Sequence, residues 1–273
     1  MKSKITGGQT EVVFNTKVLN KYDVKYYRCL ETGFIQTEDP FWLEEAYSTA
    51  ITKLDIGLVS RNELLRNKTV KLLSDCFDGS KRFLDYAGGY GMFTRMMRDM
   101  GYDFYHHDIY CQNLFSEFFD LANCKQQSDF EVVTAFEVFE HLANPLEEIG
   151  AILQFGNNIL FTTELQPIGL ENISDWWYVV PETGQHIALY TKKALEYIAK
   201  QLGLHLLSDG ISMHLFTKEK LPFNPFVEKE REKEPFLIRM MRRKLNRFDL
   251  KHSAQTRKSL LQDDFEYIKA KLH

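Results

Sequence analysis

The stretch that decides the fold reads Arg-Phe-Leu-Asp-Tyr-Ala-Gly-Gly-Tyr-Gly over residues 82–91. Its first half is a short apolar run typical of a buried strand, and a helical pattern over residues 92–100 follows the glycines. Glycines at such a junction let the backbone approach a ligand without a Cβ clash, and the start of the helix offers free N–H groups. Residues 82–91 therefore predict a ligand-binding turn at the carboxyl end of a strand.

Strand and helix patterns continue to alternate after this turn. Further strands are predicted at residues 103–107, 130–136, 158–163, 204–207 and 212–217, and helices at residues 145–155 and 191–202. Asn144 is the predicted N-cap of the first of these helices, and Gly203 is the predicted end of the second. This spacing indicates βαβ units, so we predict an α/β, Rossmann-like, doubly wound and mostly parallel sheet of seven strands over residues 67–217.

Composition limits the classes of protein that fit. The 273 residues suit one α/β domain with additions, and a hydrophobic fraction of 44% is ample for a core. The formal net charge is -4, so the whole chain lacks the electrostatics of a nucleic-acid binder and no stable nucleic-acid complex is expected. No apolar run in the sequence approaches the roughly 20 residues that span a bilayer.

The amino terminus and the cysteines favour a cytoplasmic location. Residues 1–10 contain lysines but no apolar segment typical of a signal peptide, so none is expected. The four cysteines are widely spaced and form no CxxC pair; they are Cys29, Cys76, Cys111 and Cys124. They predict free thiols in a reducing compartment and neither a disulfide framework nor a zinc site.

The two ends differ in character from the centre. Residues 1–66 predict a cover segment with a strand pair, 24–29 and 34–37, followed by a helix. Residues 218–273 predict a helical extension that contains a basic amphipathic helix over 236–248. That helix suits packing on its own domain, peripheral contact with the inner face of a membrane, or binding to an anionic acceptor or a partner protein, and the sequence leaves these open.

The glycine turn alone fits a nucleotide-dependent dehydrogenase as well as other cofactor-binding enzymes. Asp85 lies inside the turn, where it would repel a pyrophosphate but tolerate the cationic aminopropyl end of S-adenosylmethionine (SAM). Asp108 ends the next predicted strand, at about the spacing that binds two ribose hydroxyls. The strand 130–136 leads directly into Glu137-Val-Phe-Glu-His141. These features favour SAM as the ligand.

Together these motifs resemble those of the class I SAM-dependent methyltransferases, in particular small-molecule and glycan-associated members with type 11 or type 23 domains. In that family the first strand ends in an acid and a G-x-G-x-G turn, and the resemblance covers residues 80–217. Ala87 stands where the first glycine is usual. The resemblance implies SAM as the cofactor. It also implies a cofactor site formed by Asp85, Tyr86, Ala87, Gly88, Gly89, Gly91, Asp108, Ile109, Phe136, Glu137 and His141.

A long polar segment after the strand 158–163 is the predicted acceptor site. Such loops at the carboxyl edge of a sheet commonly cover substrates. Its candidate substrate-binding residues are Glu164, Trp176, Trp177 and Tyr178, whose rings suit stacking on a sugar, a base or an aromatic acceptor. His186 follows them and has the residue type suited to proton transfer, so it is the predicted catalytic base, with pocket-lining and structural roles as alternatives.

Other candidate bases and ligands rank lower. His141 and Glu164 are alternative bases. His106 and His107 are expected to be strand residues, and no metal site is predicted. Residues 1–66 resemble the zinc-ribbon-like modules that precede some sugar methyltransferase domains. Those modules use paired cysteines, and only Cys29 is present here, so we expect a metal-free cover.

The sequence predicts transfer of a methyl group from SAM to an oxygen atom of a small-molecule or carbohydrate acceptor. The acceptor is expected to be held by the 164–186 loop, and the reaction is expected to belong to glycan biosynthesis. A non-catalytic partner or scaffold with the same fold is an alternative, because of Ala87 and the basic helix. An RNA or DNA methyltransferase is another. The acidic net charge and the absence of an Asn/Asp-Pro-Pro-Tyr motif after Phe136 argue against it.

Overall fold

The computed structural model describes residues 1–48, 55–227 and 257–271, and a six-stranded sheet lies at its centre. In spatial order the strands are β5 (Asp103–His107), β4 (Arg82–Tyr86), β6 (Val132–Ala135), β7 (Asn158–Thr162), β10 (Met213–Thr217) and β9 (His205–Ser208). The first four pair in parallel, and β10 is antiparallel to both of its neighbours. The chain leaves β4 for β5 on one side and returns to β6 on the other, so the strand order reverses at the carboxyl end of β4.

The predicted mostly parallel α/β sheet is confirmed, but within the described residues it has six strands and not seven. Beyond β5 the chain forms only one parallel bridge, between His106 and Asp120. The reason lies in residues 109–120, where the Asn113 amide donates hydrogen bonds to the Ser116 carbonyl and to Asp120 Oδ1 at 2.8 and 2.9 Å. These bonds fold the segment into turns, so no further strand forms beyond β5 in the described residues.

Helices flank both sheets of the molecule. They are α1 (Leu43–Ala46), α2 (Leu58–Cys76), α3 (Met92–Asp99), α4 (Pro145–Ile152), α5 (Lys192–Leu202) and α6 (Leu261–Lys271). The ends of α5 are as predicted, because Thr191 Oγ1 accepts a hydrogen bond from the Ala194 N–H and Gly203 ends the helix at φ 67°. Asn144 occupies the N-cap of α4, but its side chain makes no capping bond there.

The helix α2 was not predicted from the sequence. Nor was it predicted that the first half of this helix lines the candidate functional site. The helix carries Leu58, Leu65 and Leu72 at seven-residue spacing, with Leu65 and Leu72 buried against the central sheet. That spacing is a helical signal. The helix also crosses residue 66, the predicted end of the cover segment.

A second, four-stranded sheet forms the cover. Its antiparallel strands, in order, are β1 (Thr10–Val18), β2 (Tyr22–Cys29), β3 (Ile35–Thr37) and β8 (Ala188–Leu189). The predicted pair corresponds to β2 and β3, whereas β1 was not predicted. Because β8 belongs to the segment just before α5, the cover sheet is continuous with the central unit.

The cover and the predicted acceptor segment share one apolar core. Trp42, Trp176 and Tyr178 are buried together in it. The Trp42 indole N–H donates to the Gly184 carbonyl at 2.9 Å, and the Gln185 amide donates to the Ala46 carbonyl at 3.0 Å. The segment 164–186 is therefore anchored to the cover.

The carboxyl-terminal helix α6 packs against α3. Asp264 and Arg98 are buried and form a bidentate ion pair, with Nε–Oδ2 and Nη2–Oδ1 distances of 2.8 and 2.7 Å. Arg98 also donates to Asp103 and to the Phe104 carbonyl, which ties α6, α3 and β5 together. The predicted basic helix 236–248 lies outside the described residues. None of the described helices has both the length and the apolar character needed to cross a bilayer.

Candidate functional site

A cavity of about 920 Å³ opens at the carboxyl ends of β4 and β6, where the strand order reverses. The glycine turn, residues 85–90, lines it, and so do residues of the segment 177–186. Thirteen of the sixteen predicted site residues line it, namely Asp85, Tyr86, Ala87, Gly88, Gly89, Asp108, Ile109, Phe136, Glu137, His141, Trp177, Tyr178 and His186. The predicted cofactor and acceptor regions thus meet in one cavity.

The glycine turn is held in an unusual backbone conformation. Ala87 has a φ of 55°, a left-handed conformation that costs an L residue about 1–2 kcal/mol and that explains why glycine is favoured there. Gly88 is required by space, since a Cβ would lie 2.5 Å from Asp85 Oδ2. The His106 ring braces the turn from below, with Nε2 at 2.8 Å from the Gly89 carbonyl.

Gly91, a predicted cofactor residue, supports the turn without lining the cavity. It is the N-cap of α3, its φ is 82°, and an added Cβ would lie 2.3 Å from Asn113 Oδ1 and 2.6 Å from Ser116 Oγ. Gly91→Ala is therefore expected to destabilise the protein by about 1–3 kcal/mol, from left-handed strain and overpacking. Urea unfolding measures the change. Gly150→Ala, in α4 where a Cβ meets nothing within 4 Å, is the control and is expected to leave stability unchanged or raised.

Asp85 connects three elements beneath the turn. Its carboxylate accepts hydrogen bonds from Thr94 in α3 and Thr134 in β6, both at 3.0 Å. Burial raises the pKa of Asp85 to about 6, against the opposing effect of His106. The acid predicted from the sequence is therefore a buried brace of the turn as well as a cavity residue.

Asp108 organises the neighbouring loop. Its Oδ2 accepts the Gly89 N–H at 2.9 Å, and its Oδ1 accepts the N–H groups of Tyr110 and Cys111 at 2.7 and 2.8 Å. A carboxylate offers about four acceptor positions, so one remains for a ligand hydroxyl in the cavity. Asp108 thus joins the glycine turn to the loop after β5 while facing the cavity.

Glu137 follows β6 in a left-handed conformation with a φ of 53°. Thr162 Oγ1 donates to its carboxylate at 2.7 Å and accepts its backbone N–H at 2.8 Å. Arg61 Nε lies 4.0 Å from Glu137 Oε2. Burial, followed by repulsion from Glu140, raises the pKa of Glu137 to about 7.

Two parts of the cavity wall were missed by sequence reasoning. Arg61 in α2 forms a bidentate ion pair with Asp55 at 2.8 and 3.0 Å and points its charge toward Glu137. Tyr47, next to α1, stacks on Tyr110 with ring centroids 5.1 Å apart, and both line the cavity. The leucine spacing of α2 was a usable signal, whereas the stacking of Tyr47 on Tyr110 joins residues far apart in sequence.

The adjacent tryptophans have different positions. The Trp177 side chain lines the cavity and is 70% exposed, whereas Trp176 is buried in the cover core and does not line it. Glu164 also lies off the cavity, at the end of β7. Of the predicted substrate-binding and catalytic residues, Trp177, Tyr178 and His186 line the cavity; we call these three the acceptor wall, after their predicted role.

Two histidines that line the cavity, His141 and His186, have fixed tautomers. His141 Nδ1 lies 2.9 Å from the Gln185 carbonyl, and His186 Nδ1 lies 2.5 Å from the Tyr178 carbonyl. A carbonyl only accepts, so each Nδ1 carries the hydrogen and each Nε2 keeps its lone pair. Burial lowers the pKa of His141 to about 4 and that of His186 to about 3, so both rings are neutral at pH 7.

The neighbouring histidines in β5 are strand residues, as predicted. His106 bridges the Gly89 carbonyl and Asp120, whose Oδ1 lies 3.2 Å from Nδ1. His107 lines the cavity beside Tyr86, with ring centroids 5.4 Å apart.

Comparison with known protein families identifies the family to which this chain belongs. A family model described as a methyltransferase domain matches residues 60–209, which is more than half of the chain. No curated protein matches the chain.

Similar solved structures include TnmH (16% identity, TM-score 0.41), with 65% of this chain and 61% of that chain covered. A putative methyltransferase from Bacillus halodurans is similar at 14% identity and TM-score 0.41, with 52% and 70% covered. A putative O-methyltransferase from Nostoc punctiforme is similar at 12% identity and TM-score 0.42, with 64% and 66% covered. The chain thus spans less than two thirds of the length of TnmH.

Proposed function

Because this chain belongs to the family of SAM-dependent methyltransferases, we propose that it transfers the SAM methyl group to an oxygen atom of a small-molecule or carbohydrate acceptor. One observation carries the proposal. The glycine turn, Asp108, Tyr178 and His186 all line one cavity. Donor and acceptor would therefore be held together, which is the main requirement for a bimolecular displacement.

The cofactor would lie along the glycine turn. Asp108, with one acceptor position left, would bind the ribose hydroxyls, and Ile109 and Tyr110 would flank the adenine side. The methionine part would extend toward Phe136 and Glu137 at the end of β6. The sulfonium methyl group would then point at the acceptor wall.

The acceptor would bind between Trp177 and His186. An exposed indole at the cavity mouth suits stacking on a planar or sugar ring. In the reaction the acceptor oxygen forms a bond to the methyl carbon as the carbon–sulfur bond breaks. The electron pair of that bond goes to sulfur, which becomes a neutral thioether, and the hydroxyl proton is lost to solvent water.

The predicted role of His186 as the general base changes in detail. A base works best when its pKa is near the working pH, and burial lowers the pKa of His186 to about 3. Its Nε2 nevertheless keeps a lone pair on the acceptor side. We therefore propose that His186 acts on the acceptor as a neutral electron-pair donor and does not carry the proton away.

Asp108→Ala tests the cofactor position. Loss of a charge-assisted hydrogen bond to a ribose hydroxyl is expected to weaken SAM binding by about tenfold to a hundredfold. Titration calorimetry with SAM measures this. Asp75→Ala, an exposed acid of α2, is the matched control and should bind like the wild type. Equal SAM affinity in wild type and Asp108→Ala would remove Asp108 from the cofactor site.

Transfer itself is measured with methyl-labelled SAM and a panel of phenols, monosaccharides and nucleosides. Labelled product from a hydroxyl acceptor supports the proposal. SAM binding without transfer to any member would favour the alternative of a non-catalytic protein with the same fold. Failure to bind SAM at millimolar concentration would contradict the proposal altogether.

A further inference from the structure

Three side chains converge beside the cavity, two of which, His141 and His186, line it, whereas Glu140 is buried behind them. Glu140 and His141 lie in the short 3-10 turn Phe139–His141 after β6, and His186 lies just before β8. One side-chain oxygen or nitrogen atom of each residue falls within 4.8 Å of the others. One carboxylate and two imidazoles are a common ligand set for a catalytic metal ion.

The orientation of both imidazoles suits ligation. The hydrogen on each Nδ1 is engaged by a backbone carbonyl, of Gln185 for His141 and of Tyr178 for His186. Metal-binding histidines usually make this second bond, because it fixes the ring and leaves the other nitrogen free. The two Nε2 lone pairs have the tautomer that a metal requires.

Glu140 supplies the independent observation. Its side chain is 0% exposed, and among the described residues the side-chain hydrogen bonds to its carboxylate come from the neutral hydroxyls of Tyr178 and Thr163, with no cationic partner. No ion pair of Glu140 occurs in residues 1–48, 55–227 and 257–271. The nearby hydroxyls of Thr163 and Tyr178 lie 3.4 Å from each other. Burying an unpaired carboxylate costs several kcal/mol, so an oxygen-binding cation or a proton must offset that cost.

We propose that Glu140, His141 and His186 bind one divalent transition-metal ion, with Zn²⁺ as the best fit, and that its open position faces the acceptor cavity. Two nitrogen ligands favour this class over Mg²⁺ and Ca²⁺, which prefer oxygen. Ligands at about 2.1 Å from a tetrahedral ion lie about 3.4 Å apart. The candidate ligand atoms lie within 4.8 Å of one another, so an approach of up to about 1.4 Å completes the site. This proposal differs from the prediction made from the sequence, in which no metal site was expected.

The catalytic part of this proposal rests on the proposed methyl transfer. Three protein ligands leave a fourth position for the acceptor hydroxyl, whose pKa the ion lowers. The bound hydroxyl gives its proton to solvent water, and its oxygen supplies the electron pair of the new carbon–oxygen bond. In that case the Nε2 lone pair of His186 binds the ion, so His186 acts on the acceptor through the ion and not by direct contact.

Zinc binding by the full chain tests the inference without any acceptor. Protein stripped with a chelator is titrated with Zn²⁺ by calorimetry, and bound metal is counted after dialysis. One equivalent is expected in the wild type and in His205→Ala, an exposed histidine of β9. Glu140→Gln, His141→Ala and His186→Ala should each weaken binding at least about tenfold. Near-ultraviolet circular dichroism checks that each variant is folded.

Co²⁺ serves as a second probe. Its visible spectrum should indicate nitrogen and oxygen ligands with no thiolate charge-transfer band, since the described cysteines are not part of the cluster. A thiolate band, no bound Zn²⁺ in the wild type, or equal affinity in all variants would each overturn the inference. Normal SAM binding and methyl transfer by metal-free protein would overturn it while leaving the proposed function intact.

Discussion

His186→Ala is expected to lower kcat/KM for methyl transfer by about a hundredfold or more, within the range of residues that act directly on a reacting group. The physical reason is the loss of the Nε2 lone pair of His186, which is proposed to act on the acceptor in the cavity. SAM affinity should stay unchanged, because His186 is not among the residues of the glycine turn and the β5 end that are proposed to bind SAM. Turnover with a hydroxyl acceptor and calorimetry with SAM measure the two quantities.

The control for this prediction is His205→Ala, which removes an exposed histidine of β9. It should keep full turnover. His186→Gln separates an electron-pair donor from a packing residue, since its amide oxygen can still accept a bond and partial turnover is expected. Full turnover in His186→Ala would exclude any role of His186 in the reaction.

Asp264→Ala is expected to destabilise the protein by about 3–5 kcal/mol, the usual cost of leaving one member of a buried ion pair alone. Asp264 accepts hydrogen bonds from Nε and Nη2 of Arg98, and its Oδ2 also forms an ion pair with Arg95 Nη1 at 2.9 Å. Arg98 is stacked over the Phe119 ring at 3.7 Å and is only 5% exposed. The substitution therefore leaves a buried positive charge that Asp103 alone offsets.

Urea unfolding of the full chain measures this effect. Asp263→Ala is the control, since that neighbouring acid makes only an exposed ion pair with Lys258 at 3.2 Å and should change stability by less than about 1 kcal/mol. If Asp264→Ala unfolds within 1 kcal/mol of the wild type, α6 does not depend on this ion pair.

The parts of the site that depend on local pattern were predictable from the sequence. The glycine turn, Asp108 and the strand ending at Phe136 are fixed by apolar runs and by residues needed at strand ends. The spacing of Leu58, Leu65 and Leu72 carried the same kind of signal for α2 and was overlooked.

The partners of the buried charges were not predictable in that way. Arg98 meets Asp264 across 166 positions of sequence, and Trp42 meets Gly184 across 142. Such contacts depend on how finished elements pack, which no periodicity records. For the same reason Trp176 and Trp177, adjacent and identical in type, have opposite environments.

The sequence by itself determined the α/β class, the glycine turn and the methyltransferase family of this protein, because each of these depends on short segments with their own periodicity and chemistry. Only the tertiary structure decided that the cover sheet anchors the segment 164–186 and that Glu140, His141 and His186 converge. The convergence arises because the turn after β6 and the segment before β8 are packed together by the cover core. The fixed tautomers of His141 and His186 and the burial of the Glu140 carboxylate give this cluster its chemistry, and both exist only in that packed state.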